Sequence, residues 1–409
     1  MPVPTSRPLI SLLSEADFRR VWIAGGVFGT IRWLEMLAVG IYVFDLTGSP
    51  FQVALMTFVR MVPLLLFGTV VGALAERLDR KWLLAGGLAV LSTVSAVLWV
   101  LAFTGTIALW HIALGAFFNG IFWAADFPVR RTLLGEIAGT DRMSSAMGLD
   151  AATNHATRVF GPLMGGLILD TIGLEGTYLF GAVLLAIAAT LVLRLRVGRP
   201  IARGTPGWGV FANMAEGFRY IRSNRFLLAF LTITVVFNFW GFSYASVAPV
   251  VGREVLRLSA FSIGLLLSTE AVGAMLTGIG IAVVGPKRYH TWIYAGGTMV
   301  FFLGILLFSR SHSFGFSMAA LFVAGCGVAG FSSMQGTLSF LAAPPEMRAR
   351  VMGVVTLGIG IGPIGALHVG FLADLFGAAT AITIIAAEGM IVLGAAVLAW
   401  PELRGRGGA

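Results

Sequence analysis

Gly148-Leu-Asp-Ala-Ala-Thr-Asn-His155-Ala-Thr157-Arg158-Val-Phe-Gly161-Pro162-Leu-Met-Gly165-Gly166 lies within an apolar segment long enough to cross a bilayer. Such a helix tolerates its proline only where neighbouring helices or polar side chains satisfy the carbonyl that the ring frees. Gly161, Gly165 and Gly166 offer another backbone a close approach. A shorter echo follows about two hundred residues on, as Gly358-Ile-Gly-Ile-Gly362-Pro363-Ile-Gly365-Ala366. Each copy follows an Arg-bearing loop and a Met-Gly pair, Met147-Gly148 and Met352-Gly353. The repetition points to a duplicated membrane protein.

Composition agrees. Of the 409 residues, 57% are hydrophobic and 11% charged, with a mean hydropathy of +0.90, whereas soluble domains carry about a quarter charged residues. Hydrocarbon roughly 30 Å thick calls for about 20 apolar residues per helix. Twelve segments meet that length, near 20–45, 51–73, 82–104, 107–128, 145–169, 175–194, 226–250, 261–284, 291–309, 314–341, 351–373 and 378–400. The first twenty residues show no apolar core followed by a small-residue cleavage site, so no cleaved signal is expected. A lone Cys326 leaves no intrachain disulfide and no multi-cysteine metal cluster.

Positive charge sets the orientation. Of 28 Lys and Arg residues, 22 fall on the side of the N-terminus, three (Arg253, Arg257 and Arg310) on the other, and three (Arg32, Arg60 and Arg158) inside spans. Cationic loops stay cytoplasmic, which places both termini there and the chain in the plasma (inner) membrane. The net charge of +9 then answers to anionic headgroups, with membrane lipids as partners and no nucleic acid. Residues 196–225 form the one long polar interruption, with an amphipathic surface helix expected over 209–222. The expected organisation is a bundle over 1–195, a cytoplasmic linker over 196–225 and a second bundle over 226–409. Six spans, a linker and six more is the layout of transporters built from repeats.

The loop after the second span reads Gly72-Ala-Leu-Ala-Glu76-Arg77-Leu-Asp79-Arg80-Lys81-Trp-Leu-Leu84. It resembles the cytoplasmic signature of the major facilitator superfamily, Gly-x-Leu-Ala-Asp-Arg-x-Gly-Arg-Arg/Lys-x-x-Leu, with Glu76 for Asp and Asp79 for Gly. The 148–166 stretch is similar to that superfamily's antiporter motif, with Thr157 in place of its second glycine. Leu46-Thr-Gly-Ser-Pro50 is similar to the drug-efflux and siderophore-exporter (enterobactin exporter-like) branch. The resemblance implies an all-α membrane protein of twelve transmembrane helices in two six-helix pseudo-symmetric bundles. It also implies alternating access, with the first, fourth, seventh and tenth spans lining the cavity.

Charges at the cytoplasmic loop can pair in one state of a sliding interface and separate in the other, biasing the equilibrium by ~1 kcal/mol per pair. Gly72, Glu76, Arg77, Asp79 and Arg80 are the candidate switch, with Glu136 as partner for Arg77 or Arg80. Gly161, Pro162, Gly165 and Gly166 join them as the flexible packing element.

Charge within the bilayer is expensive, at least ~2.5 kcal/mol on insertion scales. Interiors of the third, sixth and ninth spans hold no Asp, Glu, Lys or Arg, while Arg32, Glu35, Arg60, Asp126, Arg158 and Glu270 fall in the first, second, fourth, fifth and eighth. Arg32 and Glu35, three apart, share a helix face and can pair. Asn119, Trp123, Asp126 and Arg130 step along the fourth span. Asp150, Asn154 and Arg158 form an i, i+4, i+8 stripe on the fifth. Arg32, Arg60 and Arg158 near the midplane suit a carboxylate, phosphate or catecholate; the same ions can instead lock helices together as internal pairs.

Glu35, Asp126 and Glu270 are the proton-coupling candidates, since a buried carboxylate can exchange a cationic partner for a proton. His155 and His368 are further titratable groups, and Glu388 is expected to serve packing in a peripheral helix. Asn238, Trp240 and Tyr244 on the seventh span, with Gln335 on the tenth, supply hydrogen bonds and aromatic faces for an amphipathic substrate. Ordinary interhelical packing is the other reading of that group.

A phosphate-binding Gly-x4-Gly-Lys-Ser/Thr loop, a His-Glu-x-x-His helix and a Gly-x-Ser-x-Gly elbow are all missing from the sequence. No cofactor, no metal and no enzymatic activity are expected. Small-molecule substrate and protons are the expected partners of a monomer. Three readings stand: proton-coupled export of a drug-like molecule or siderophore, proton-independent uniport or flipping of a lipid-like anion, and symport-driven nutrient uptake.

Overall fold

Segments of bilayer length satisfy their own backbone only as helices or closed barrels, and among the described residues there are helices and no strands. The computed structural model describes residues 8–196, 210–284, 289–344 and 347–403, and within them leaves out the side chains of 8–9, 67–77, 210–214, 340–341 and 349. A short α1 (Pro8–Ser14) precedes six long helices: α2 (Ala16–Thr47), α3 (Pro50–Arg77), α4 (Arg80–Phe103), α5 (Leu109–Ala138), α6 (Met143–Thr171) and α7 (Leu174–Leu193). Then comes α8 (Val210–Ser223), where the amphipathic surface helix is expected. The seventh span is composite: α9 (Arg225–Val236), a π segment (Phe237–Gly241), a 3-10 segment (Phe242–Ser246) and α10 (Ala248–Glu254). The eighth to tenth spans are α11 (Ala260–Val284), α12 (His290–Ser309) and α13 (Phe314–Leu341). The eleventh is split into α14 (Arg348–Ile359) and α15 (Gly362–Phe376), and α16 (Ala378–Ala399) is the twelfth.

Ten of these spans are long and apolar enough to cross a membrane on their own composition; α3, apolar over Pro50–Leu66, and the polar-rich α6 complete the twelve. The fourth span corrects the expected boundary. Pro128 and the Arg130-Arg131 pair read as its end, yet α5 continues ten residues further, to Ala138. Both arginines are therefore helical.

Two turns at equivalent places are closed by glycine. Gly173, between α6 and α7, and Gly377, between α15 and α16, have φ of 96° and 83°, a left-handed region that side chains avoid. Asp79 caps α4 by accepting from the Lys81 N–H at 2.9 Å. The departure from Gly at this position thus has a local structural use.

Two compact units emerge, one of Met1–Val39 and Val59–Thr205, the other of Gly40–Phe58 and Pro206–Ala409. In the first, buried Phe18, Val21, Phe28, Leu84, Leu88, Phe122, Leu134 and Leu185 build the core, with Phe28 and Phe122 edge to face at 4.7 Å. In the second, small residues let backbones meet: Gly273 faces the Phe322 carbonyl, Gly325 the Glu270 carbonyl and Gly304 Ala324. An aromatic ladder joins Phe230, Tyr294, Phe331 and Phe237, closest at 3.7 Å between Phe237 and Phe331. This unit also holds the residues flanking the Leu46-Thr-Gly-Ser-Pro50 turn. Arg253 grips Asp45 with two hydrogen bonds of 2.9 and 2.7 Å, and Asp374 accepts from the Ser49 hydroxyl at 2.8 Å.

Candidate functional site

Helix spacing puts Arg32 and Glu35 on one face of α2, but the pair does not form. Glu35 turns instead to the second, third and fourth spans. Its carboxylate accepts from Asn119 Nδ2 at 3.2 Å and from Ser95 Oγ at 3.4 Å, and Arg60 Nη2 stands 4.0 Å away. Arg60 donates its other nitrogen to the Arg32 carbonyl at 3.1 Å. Gly120 makes room for this, since a Cβ there would fall on the Arg60 carbonyl. Glu35, Arg60, Ser95, Asn119 and Tyr178 line an enclosed space of about 10 Å³, close to the room one water needs. The Asn119 Oδ1 is buried and unpartnered.

A second polar group forms where α5 meets α6. Asp126 accepts from Arg130 Nε at 3.1 and 3.2 Å. Arg130 also bonds to Asp150, whose other oxygen accepts from Arg131 at 2.9 Å. Arg130 fits because Gly25 presents no Cβ to its guanidinium. Asp150 is thereby taken by α5 rather than by Arg158 on its own helix. The four-residue step from Asp126 to Arg130 was legible in the sequence, whereas Arg131, counted only among the loop charges, was missed.

The third group is aromatic and cationic. Arg32, only 8% exposed, lies over the rings of Trp123 at 4.4 Å, Trp33 at 5.2 Å and Phe28 at 5.9 Å. Arg158 lies over Trp33 at 5.1 Å. The Arg32 Nε and the Trp33 Nε1 are buried without a hydrogen-bond partner, an arrangement suited to an incoming acceptor. Asn154 sits half-buried one turn before Arg158. Gly161 and Gly165 bring α6 against α2 at Thr30, Trp33 and Leu34, and buried Pro162 and Gly166 lie on the same helix.

At the loop between α3 and α4, Arg80 is the arginine that reaches Glu136. Gly72, Glu76 and Arg77 lie on the described backbone of α3, and their side chains are outside the described residues.

The second unit uses few ions. Buried Glu270 accepts a hydrogen bond from the Tyr244 hydroxyl, and Tyr244 packs edge-on to Phe301 at 5.7 Å. Asn238 donates to the Thr234 carbonyl at 2.8 Å, within a network that joins the Thr234 hydroxyl to Tyr294 at 2.7 Å and to Gln335 at 3.5 Å. Trp240 stands apart from this network and donates its indole N–H to Glu388 of α16 at 2.7 Å. Among the described residues no group of three or more His, Cys, Asp or Glu could hold a metal ion.

A family profile described as transmembrane secretion effector matches residues 8–405. Macrolide efflux protein A of Streptococcus pyogenes is 21% identical over 372 residues, covering 89% of this chain and 91% of that protein. The Staphyloferrin A transporter of Staphylococcus aureus is 24% identical over 362 residues, covering 85% and 87%. Among solved structures, a POT family transporter in complex with 5-aminolevulinic acid superposes with a TM-score of 0.78 at 12% identity, covering 94% of this chain and 96% of that one. The nucleoside transporter NupG gives a TM-score of 0.70 at 16% identity, covering 93% and 98%. Likeness at these identities establishes the fold, and the profile match over nearly the whole length establishes that the chain belongs to the transmembrane secretion effector family of the major facilitator superfamily.

Proposed function

We propose that this membrane transporter exports an amphipathic small molecule, of drug or siderophore type, in exchange for protons by alternating access across the plasma membrane. The observation that carries the reading is Glu35. It is a buried carboxylate with two neutral donors, an arginine held off at 4.0 Å and a water-sized space beside it. A carboxylate so placed can trade Arg60 for a proton, and the freed guanidinium then changes what the first unit offers to a substrate. Asp126, bound to Arg130, and Glu270, bound to Tyr244, are the further acidic groups of the coupling path. The efflux and siderophore-transport names of the two relatives support this class of cargo. Arg32, Arg60, Asn119, Trp123, Asn154 and Arg158 are its candidate contacts in the first unit, and Asn238, Tyr244 and Gln335 in the second, Trp240 being engaged by Glu388.

Purified protein in proteoliposomes tests this. An imposed pH gradient should drive accumulation of a macrolide or carboxylate siderophore against its own gradient. Movement that only equilibrates the substrate, indifferent to the pH gradient, would remove the proton from the cycle.

A second reading is favoured by Arg32. Its unpartnered Nε and its place beside Trp33 and Arg158 suit a lipid-like or other organic anion moved without protons. Facilitated, pH-independent flux of an anionic amphiphile that Arg32→Ala abolishes is its signature.

A further inference from the structure

Most intramembrane polar groups described above are buried; one set is turned outward. Glu388 lies ten residues from the first residue of α16 and eleven from its last, so at ~1.5 Å per residue it sits roughly 15 Å from either end, at mid-bilayer depth. Its helix face continues through Ile391, 71% exposed, and Leu398, 73% exposed. His368 shares a face of α15 with exposed Ile364 and Phe371. Bare apolar faces of this kind are what a span turns to hydrocarbon. The Glu388 and His368 side chains are themselves 38% and 32% exposed, against the usual rule that intramembrane ions face the bundle interior.

The known contacts of Glu388 fall on one oxygen of its carboxylate. Oε2 accepts from Trp240 Nε1 at 2.7 Å and pairs with His368 Nε2 at 2.9 Å, while Oε1 takes no hydrogen bond among the described residues. Interiors of the seventh, eleventh and twelfth spans contain no Lys or Arg. Phe239 stacks on His368 at 5.5 Å and meets Trp240 edge-on at 4.7 Å, which walls the carboxylate with aromatic rings. Trp240 and Phe239 both belong to the π segment Phe237–Gly241, a backbone irregularity found frequently at functional positions.

We propose that Glu388, His368, Trp240 and Phe239 form a membrane-facing binding site for a lipophilic ammonium ion, the protonated amine of an amphiphile dissolved in the bilayer. The ammonium donates to Glu388 Oε1 and meets the aromatic faces through cation–π contact. Its alkyl part stays in hydrocarbon beside Ile391 and Phe371. This site is separate from the Glu35 group, lies in the other unit and binds whether or not the cycle is proton-driven.

The test uses the full chain in nanodiscs of phosphatidylcholine. The probe is radiolabelled N,N-dimethyldodecylamine, with dodecanol as its uncharged counterpart. Saturable amine binding is expected, weakened about tenfold or more by the isosteric Glu388→Gln and less by Trp240→Phe. Asp141→Asn, on the exposed turn before α6, should leave amine binding unchanged, and dodecanol should not compete. Equal affinity in wild type and Glu388→Gln, or equal competition by dodecanol, overturns the proposal. So does loss of amine binding in Asp141→Asn. A diazirine-bearing amine on the wild-type protein gives a readout independent of variant folding. Label on α15 and α16 supports the site, and label confined to other helices sinks it.

Discussion

The two Gly-Pro helices begin from similar sequence and end with different backbones. Around Gly161-Pro162, α6 runs unbroken from Met143 to Thr171, packed on an unbroken α2. Around Gly362-Pro363, the helix stops at Ile359 and restarts at Gly362, and the partner span is itself distorted into π and 3-10 segments. Both motifs use the same contact: Gly165 approaches the Leu34 backbone, and Gly365 approaches the Phe239 backbone. What differs is the chemistry that the partner helix can host. The regular α2 projects ions, Arg32 and Glu35. In the irregular seventh span, polar side chains serve its own carbonyls: Asn238 donates to the Thr234 carbonyl and Ser243 to the Phe239 carbonyl. The regular α2 thus carries ions to partners on other helices, whereas the broken span spends Asn238 and Ser243 on its own carbonyls and reaches Glu270 and Glu388 through Tyr244 and Trp240.

Breaking the ionic half should have the largest effect. Arg130→Ala leaves Asp126 and Asp150 buried without their shared cation, and should destabilise by about 3–5 kcal/mol. The loss should appear as a lowered unfolding midpoint of the purified protein. Equal stability of Arg130→Ala and wild type would mean that these carboxylates find other partners.

Glu35→Gln comes next. Gradient-driven transport in proteoliposomes should fall by about 10²-fold or more, with counterflow exchange retained. Preserved gradient drive would transfer the coupling role elsewhere, Glu270→Gln being the first comparison in the neutral half.

The shared glycine contact sharpens the comparison further. Gly165→Leu and Gly365→Leu each drive a side chain into a neighbouring backbone, and each should cost about 1–3 kcal/mol of stability. Gly394→Leu, where a Cβ meets nothing within 4 Å, is the control. If only one of the two contacts proved sensitive, the halves would not share the packing device.

The smallest effect is expected at the loop between α3 and α4. Arg80→Ala removes the Glu136 pair, whose carboxylate is partly exposed, and should change stability by about 1 kcal/mol or less. Transport rate should fall more than surface abundance does. Parallel losses of both would reduce the pair to a structural contact.

Much of this architecture was readable from one dimension. Hydrophobic length located the spans, and the Gly-Pro echo signalled the duplication. Errors fell where a local rule met a tertiary exception. Pro128 with two following arginines resembles a helix end, yet Asp150 on α6 holds both arginines and α5 continues. Glu388, expected to serve packing, instead accepts from a tryptophan 148 residues away in sequence, an association that no spacing rule contains.

Chain order and composition by themselves determined which helices exist, which carry charge and which same-helix neighbours lie three or four apart. Only the tertiary structure decided the partners. Glu35 chose Arg60 over Arg32, and Asp150 chose Arg130 and Arg131 over Arg158. The reason is geometric: helical periodicity sets a side chain's bearing about its own axis, whereas pairing between helices depends on the rotation and depth of the neighbour. Those follow from small residues such as Gly25 and Gly120, which show their value only once another helix is laid against them.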